Sequence, residues 1–220
     1  MKEYLNVLTN SNLFCDMSDD DILKIIGCLN GKVKKYNKDE TIYLAGDKIS
    51  KIGIVLSGSI LITKDDIMGN RNILTNISSS GLFGETFVCS DIPFIPVTVV
   101  ACAKCEILFL EFNSIIHTCT SNCNFHNTLI KNMLNIIANK NILLNNKIEL
   151  LSAKTTRDKL MAYFNMQINK NNNNKFKIPF NRDALADFLN LNRSSMSREL
   201  SKMRNEGMIQ FSKNEFEVLL

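Results

Sequence analysis

Seven short segments rich in β-branched and aromatic residues follow one another between residues 32 and 112. They read KVKKY, ETIYL, KIGIVL, SILIT, RNILTNI, VTVVACA and EILFLEF. The turn-forming pairs that separate them are Gly46-Asp47, Ser57-Gly58, Gly69-Asn70 and Ser80-Gly81. Many short strands at close intervals, joined by Gly-bearing turns, predict an all-β sandwich, barrel or roll for this part of the chain.

Helical patterns lie on both sides of the β-rich region. Residues 18–29 predict a short amphipathic helix, with Ser18 as its N-cap and three Asp residues in its first turn. The 220 residues suffice for one large domain or two small ones. No apolar run approaches the ~18 residues that span a bilayer, and the first residues lack the pattern of a secretory signal. We therefore expect a cytoplasmic protein with no membrane partner.

A heptad pattern follows the β-rich region. Its members, spaced alternately by four and three residues, are Ile130, Leu134, Ile137, Asn141, Leu144, Ile148 and Leu151. Six apolar residues and one Asn are typical of the seam of a dimeric coiled coil, in which the Asn pairs with its symmetry mate. An ordinary helix that packs on its own domain could carry the same pattern over three heptads. We predict that this seam mediates dimerisation.

The charged residues are unevenly distributed. Residues 1–153 hold 14 Lys and Arg against 15 Asp and Glu, whereas residues 154–220 hold 12 against 7, a net charge of +5. Five of the six Arg residues lie in the rear part, namely Arg157, Arg182, Arg193, Arg198 and Arg204. A basic, Arg-bearing rear part indicates an anionic partner, and the alternative is a solvated basic domain without one.

Residues 181–211 predict two helices joined by a sharp turn. Asn181 and Asn192 are the expected N-caps, Asn190 stands where the turn needs a left-handed backbone, and Gly207 ends the second helix. The predicted inward side chains are Leu185, Ala186, Phe188, Leu189, Met196, Leu200 and Met203. This pattern is typical of a helix-turn-helix, and residues 208–220 add a hairpin that forms the wing of a winged helix.

The start of the second helix is the part that enters the major groove of double-stranded DNA. Arg there can donate two hydrogen bonds to guanine, whereas Ser and Lys more often position phosphates. The predicted DNA-binding residues are Arg182, Asn192, Arg193, Ser194, Ser195, Ser197, Arg198, Lys202 and Lys213. The alternative is an αα-hairpin with a basic, solvated edge.

The order of roll, seam helix and winged helix resembles the cyclic-AMP receptor and fumarate–nitrate regulator (Crp/Fnr) family of bacterial transcription factors. The resemblance rests on Gly46, Gly58, the run 81–85 (GLFGE) and the segment 192–200 (NRSSMSREL). In the last of these, Arg193 and Arg198 match the family's base-reading positions, whereas Ser194 stands where many members carry Glu. It implies an α+β chain: a jelly-roll sensor like a cyclic-nucleotide-binding domain at 1–124, a dimerisation helix at 125–152 and a winged helix-turn-helix at 153–220. It also implies a homodimer on a two-fold symmetric operator, with RNA polymerase as a partner.

The front domain departs from the members of this family that bind cyclic nucleotides. These members follow a Gly-Glu pair with an Arg-Ser or Arg-Thr pair for the cyclic phosphate, whereas Ile95 and Pro96 stand at the matching positions here. No Lys or Arg occurs from residue 84 to residue 103. Because a buried phosphate without a cation is costly, we expect a less charged effector than cyclic AMP. The resemblance places the effector pocket at Gly84, Glu85, Ile95, Pro96, Val97, Thr98, Ile142 and Leu143.

The seven cysteines leave a second kind of sensor open. The candidate ligands, by spacing, are Cys102, Cys105, Cys119, Cys123, His117 and His126. The oxygen-sensing members of the family carry an N-terminal group of Cys, where this chain has only Cys15. Cys102 and Cys105, at an odd separation in one β segment, should face opposite sides of the sheet. We therefore expect most cysteines to be small buried hydrophobes, and we predict no metal, haem or iron–sulfur cofactor.

Together these features predict a homodimeric, sequence-specific DNA-binding regulator of transcription, controlled by an effector that the sequence does not identify. We do not expect an enzyme, because no Ser/His/Asp spacing, paired-carboxylate motif or phosphate-binding Gly loop occurs; a thiol-based enzyme would need a Cys beside a base. Two alternatives are a redox- or metal-switched regulator of the same family and a sensor module that acts through a protein partner.

Overall fold

The computed structural model describes residues 1–66, 68, 71–116 and 124–219. The chain divides into two compact units, Met1–Asn139 and Lys140–Leu220. Helix α5 (Asn124–Ser152) runs through the boundary, so that its first half belongs to the front unit and its second half to the rear unit. None of the described helices has the length and apolar character needed to cross a membrane.

The front unit contains a roll of two antiparallel sheets, which confirms the predicted architecture. Its strands are β1 (Lys32–Tyr36), β2 (Thr41–Tyr43), β3 (Lys51–Ser57), β4 (Ser59–Asp65), β5 (Arg71–Ser78), β6 (Leu82–Phe83), β7 (Thr98–Ala101) and β8 (Cys105–Glu111). The sheet orders are β1-β8-β3-β6 and β2-β7-β4-β5. The two-residue strand β6 escaped prediction because so short a segment carries no periodicity.

Four short α-helices cover one side of the roll within the described residues: α1 (Leu5–Thr9), α2 (Asp19–Cys28), α3 (Glu85–Val88) and α4 (Phe112–Ile116). Two 3-10 helices, Lys2–Tyr4 and Asn12–Phe14, flank α1. Strand β3 explains the resulting layers. Its residues Ile52, Ile54 and Leu56 pack against the helices, whereas Val55 faces the roll interior with β8 and β7 side chains. Because both faces of β3 are covered, its sequence is a continuous apolar run rather than an alternating one.

Aromatic rings fill the interior of the roll. Phe109 makes edge-to-face contacts with Tyr36, Tyr43 and Phe83 at centroid distances of 6.4, 5.9 and 6.2 Å. Such pairs prefer this geometry, which adds about 0.5–1.5 kcal/mol each beyond burial. Burial raises the pKa of the Tyr43 hydroxyl to about 12, so the ring stays neutral in this interior.

Helix α5 carries two apolar stripes, of which the heptad pattern predicts one. Leu129, Met133 and Ile136 are buried in the core of the front unit. Ile130 and Ile137 of the heptad seam are half-buried against that core. The remaining apolar seam residues are exposed by 62%, 64%, 61% and 42%: Leu134, Leu144, Ile148 and Leu151. The seam is therefore mostly uncovered in the single chain, and dimerisation stays a prediction.

The N-terminal segment is tied to α5 by one buried amide. The Nδ2 atom of Asn132 donates hydrogen bonds to the carbonyl oxygens of Leu13 at 3.0 Å and Cys15 at 2.7 Å. Asn132 is 5% exposed. Its two acceptors lie more than 100 residues away in sequence, so this contact ties the segment 13–15 to helix α5.

The rear unit is a winged helix-turn-helix, as predicted. It contains α6 (Thr156–Asn171), β9 (Lys175–Lys177), α7 (Arg182–Leu189), α8 (Arg193–Asn205), β10 (Ile209–Ser212) and β11 (Glu215–Val218). The strands form one sheet in the order β10-β11-β9. Asn190 follows α7 with a φ of 50°, and Gly207 follows α8 with a φ of 75°, which confirms both predicted helix ends.

The prediction for the cysteines is wrong for most of those that the structure describes. Cys105 is buried, but Cys15, Cys28 and Cys89 are exposed; Cys28 is the last residue of α2, and Cys89 directly follows α3. Cys102 lies in the turn between β7 and β8 rather than in a strand, so the opposite-faces argument does not apply to it. Three candidate ligands and one predicted turn lie outside the described residues: His117, Cys119, Cys123 and Gly69-Asn70.

Candidate nucleic-acid interface and effector site

The side chain of Asn192 caps the N-terminus of helix α8. The Oδ1 atom of Asn192 accepts hydrogen bonds from the backbone N–H of Ser194 at 3.0 Å and of Ser195 at 3.3 Å. It also accepts a hydrogen bond from the Ser194 hydroxyl at 2.6 Å. These contacts satisfy donors that the first turn of a helix leaves without partners, so the start of α8 is well defined.

The buried face of α8 sets which side chains face the solvent. Met196, Leu200 and Met203 are fully buried in the rear core. Most of the predicted DNA-binding side chains of this helix lie outside this buried stripe, and Arg193 is exposed in the first turn of the helix. Those that are exposed are Arg193, Ser194, Ser195, Arg198 and Lys202. Ser197 is half-buried. The structure thus leaves most of the predicted residues of α8 exposed.

The two arginines on this surface have different contacts. The Nε atom of Arg193 lies 2.8 Å from Oδ1 of Asp183, in the first turn of α7. The Nε atom of Arg198 donates a weak hydrogen bond, at 3.4 Å, to the carbonyl oxygen of Ser194 in its own helix. Sequence reasoning identified both arginines but not the carboxylate beside Arg193, because the pair forms only when α7 and α8 pack together.

Arg157 links helix α6 to helix α8 through ion pairs. This residue of α6 pairs through Nε with Glu199 at 2.6 Å and through Nη1 with Glu206 at 2.8 Å. The two carboxylates raise the pKa of Arg157, and its guanidinium lowers the pKa of Glu206. Arg157 therefore contributes to the basic composition of the rear part, but its charge is paired with two carboxylates.

Arg182 is placed against the wing. Its guanidinium carbon lies 4.9 Å from the ring centre of Phe211 and 4.8 Å from that of Phe216. Burial lowers the pKa of Arg182. Arg182 also lines a groove of about 540 Å³ together with Lys213 and Asn214 of the wing turn. It stays a predicted DNA contact, and stacking on two rings is the role that its geometry shows.

Two lysines cap the end of α7. The Nζ atom of Lys147, in the second half of α5, donates to the carbonyl oxygen of Phe188 and lies 3.6 Å from the centre of its ring. Lys159 of α6 donates to the carbonyl oxygens of Leu189 at 3.3 Å and Asn190 at 3.5 Å. Ammonium groups at a helix C-terminus satisfy its last carbonyls and complement its dipole. Burial lowers the pKa of Lys147.

The predicted effector residues of the front unit lie in two segments, 84–85 and 95–98. Gly84 has a φ of 86° and precedes α3, and Glu85 is 2% exposed, with Oε1 accepting a hydrogen bond from the Thr86 hydroxyl at 3.1 Å. Ile95 is 3% exposed, and its backbone N–H and C=O pair with Asp47 and Gly46 at 3.0 and 2.8 Å.

The rest of the segment 95–98 is mostly buried too. Val97 and Thr98 are buried, and Pro96 is exposed. The Thr98 hydroxyl accepts a hydrogen bond from the backbone N–H of Ala45 at 3.2 Å. Ile142 and Leu143, exposed by 56% and 64%, belong to the part of α5 in the rear unit, and their contact with an effector stays a prediction.

Two family models match the chain, and together they cover about two thirds of it. The cyclic nucleotide-binding domain matches residues 33–122, and the Crp-like helix-turn-helix domain matches residues 158–219. The chain belongs to the Crp/Fnr family. As a Crp-like transcriptional regulator, it combines a front unit of the cyclic nucleotide-binding fold with a helix-turn-helix DNA-binding domain.

The chain is also similar to known proteins in sequence and in fold. The HTH-type transcriptional regulator ycf28 of Porphyra purpurea is 26% identical over 176 residues, which are 77% of this chain and 71% of that protein. The catabolite activator protein of Thermus thermophilus shares the fold with a TM-score of 0.56 and 20% identity, over 94% of this chain and 93% of the other. DNR from Pseudomonas aeruginosa does so with a TM-score of 0.53 and 15% identity, over 100% and 95%.

Proposed function

We propose that this Crp/Fnr protein is a homodimeric regulator that binds specific double-stranded DNA sites through α8. The observation that carries the proposal is the exposure of Arg193 and Arg198 on a helix that packs other side chains into the rear core. An arginine at the start of a recognition helix can donate two hydrogen bonds to guanine in the major groove. The side chains of Ser194 and Lys202 on the same surface are suited to phosphates.

The heptad seam of α5 supports a dimer. Its apolar side chains at Leu134, Leu144 and Ile148 are each more than 60% exposed, an expensive arrangement unless a second copy covers them. Two copies related by a two-fold axis would present two recognition helices to successive turns of a two-fold symmetric operator. The functional division that we propose is a sensor at 1–124, a dimer helix at 125–152 and a DNA-binding domain at 153–220.

We infer an effector that carries less charge than a cyclic nucleotide. The side chains of the buried Ile95 and its neighbour Pro96 supply no donor for a phosphate, and residues 84–103 contain no Lys or Arg. A molecule that binds the folded protein at 100 times its Kd raises stability by about 2.7 kcal/mol. We therefore expect millimolar cyclic AMP to leave the melting temperature of the front unit unchanged, and a clear upward shift would contradict this inference.

The remaining parts of the proposal follow from the DNA role. A regulator of this kind acts in the cytoplasm, where the DNA lies, with RNA polymerase as its protein partner. The family is one of transcriptional regulators, and we propose no enzymatic activity.

The test is selection of bound fragments from a random DNA pool at a stated salt concentration, with and without reductant and cyclic AMP. We expect an enriched two-fold symmetric site whose half-sites lie about one helical turn apart, at a centre-to-centre distance of roughly 34–36 Å. Enrichment that requires reductant would favour the alternative of a redox-switched regulator. Absence of an enriched site under every condition would contradict the proposed reading of DNA sequence.

A further inference from the structure

The ion pair between Arg193 and Asp183 links the two helices of the helix-turn-helix. Nε of Arg193 and Oδ1 of Asp183 are 2.8 Å apart, and the two side chains are 65% and 64% exposed. An ion pair as exposed as this adds little to the stability of a protein. Its consequence therefore lies in where it holds the arginine, which is one of the two candidate base-reading groups.

The ion pair engages Nε and leaves the Nη1 and Nη2 donors of Arg193 available to a base. A guanidinium carries five N–H donors in a planar fork, and the carboxylate lies beside Nε. Nη1 and Nη2 can then meet the O6 and N7 acceptors of one guanine. The ion pair also restricts the rotamers of Arg193 before DNA binds, so that less side-chain entropy is lost on binding.

The carboxylate of Asp183 also disfavours non-specific binding to DNA. Asp183 lies in the first turn of α7, on the surface where α8 would meet DNA. Phosphate contacts supply most of the affinity for random DNA, and a carboxylate close to them repels the phosphate oxygens. Arg193 is thereby less available as a simple phosphate contact while it remains suited to a base.

We propose that Asp183 is a specificity-determining residue: it orients Arg193 towards one base and weakens binding to DNA without that base. The proposal rests on the proposed function, since it deepens the role of α8. Arg198 offers an internal comparison, because the contact that the structure gives it is a backbone carbonyl of its own helix. Asp183 should therefore affect reading at the base pair of Arg193 and not at that of Arg198.

The chain also offers a matched charge control. Asp187 lies one turn further along α7 and is exposed. Asp187→Asn removes the same charge from the same helix without touching the Arg193 pair. Asn at 183 preserves the size of the side chain, and the thermal unfolding of each variant shows whether the rear unit still folds.

The experiment measures Kd by fluorescence anisotropy for the selected duplex, for duplexes with each base pair of both half-sites replaced, and for random DNA. For Asp183→Asn we expect random DNA to bind several-fold more tightly, while the penalty for replacing the Arg193 base pair falls about three- to tenfold. Asp187→Asn should tighten binding to all duplexes alike. In an Arg193→Ala background, Asp183→Asn should leave every base penalty unchanged.

Two outcomes would overturn the proposal. One is the same profile for Asp183→Asn and Asp187→Asn across all replaced base pairs. The other is an effect of Asp183→Asn on base penalties that persists without the Arg193 side chain. If the wild-type protein still prefers its selected site, either result refutes the role of Asp183 but not the proposed function. A wild-type protein with no preference for any site refutes the proposed function and this proposal together.

Discussion

Replacing Leu144 with Ala tests the dimer seam at its most exposed apolar position. Leu144 lies in the second half of α5, and 64% of its side chain is exposed in the single chain. Ala has at least the helix propensity of Leu, so the helix itself should persist. The substitution therefore removes apolar surface that a second copy would bury and leaves the fold of each chain intact.

The expected magnitude follows from the exposed fraction. Complete burial of a Leu side chain contributes about 1.5–3 kcal/mol, so burying the remaining exposed part contributes about 1–2 kcal/mol per chain. Both copies lose this contribution, which amounts to about 2–4 kcal/mol per dimer. At about 1.4 kcal/mol per factor of ten, the dimer dissociation constant should rise about 30- to 1,000-fold.

Leu143 provides a matched control. It has the same side chain and the same 64% exposure, but it lies outside the heptad seam. Sedimentation equilibrium over a range of protein concentrations should show weaker dimers for Leu144→Ala and unchanged dimers for Leu143→Ala. An equal or larger effect of Leu143→Ala would refute the seam, and so would a wild-type chain that stays monomeric at high micromolar concentration.

Three further predictions concern DNA binding and stability. Arg193→Ala and Arg198→Ala should each lose about 1–3 kcal/mol on the selected site and little on random DNA; equal losses on both would show that they touch only phosphates. Lys213 occupies the wing turn with a φ of 51°, so Lys213→Gly removes its charge without backbone strain. This variant should weaken binding to all sequences alike and reduce the salt slope by about one unit, and a sequence-dependent loss would contradict a phosphate contact. Asn132→Ala leaves its buried acceptors without a donor and should lower the free energy of unfolding of the front unit by about 1–3 kcal/mol in urea titrations. Asn135→Ala, one turn along the same helix and exposed, should change it little; equal effects would contradict the structural role of the Asn132 amide.

The features that could be predicted from the sequence are those that local chemistry determines. Asn181 and Asn192 cap their helices through their own side chains, and Asn190 tolerates the left-handed turn, so each signal lies within a few residues of its effect. Except for the two-residue β6, the strands of the roll were predictable for the same reason, since β-branched runs and Gly turns are local. The helix-turn-helix and the roll therefore needed no knowledge of tertiary contacts.

The features that could not be predicted depend on residues far apart in the chain. Arg157, Arg182 and Lys147 all count as basic residues in a sequence, yet the structure engages them with Glu199 and Glu206, with the wing rings and with the end of α7. The second apolar stripe of α5 shows the same difficulty. Leu129, Met133 and Ile136 overlap the heptad pattern in sequence, and only the packed roll distinguishes the buried stripe from the exposed one.

The reading of DNA by two recognition helices is tested most directly by titrating the protein with the selected duplex and with copies in which one half-site is scrambled. These titrations are made at a single stated salt concentration. We predict that scrambling either half-site lowers the affinity by about a hundredfold or more, because each mismatched base pair costs about 1–3 kcal/mol. We also predict that two chains bind each intact duplex. Equal affinity for intact and scrambled duplexes, or one chain per intact duplex, would contradict a homodimer that reads a two-fold symmetric site.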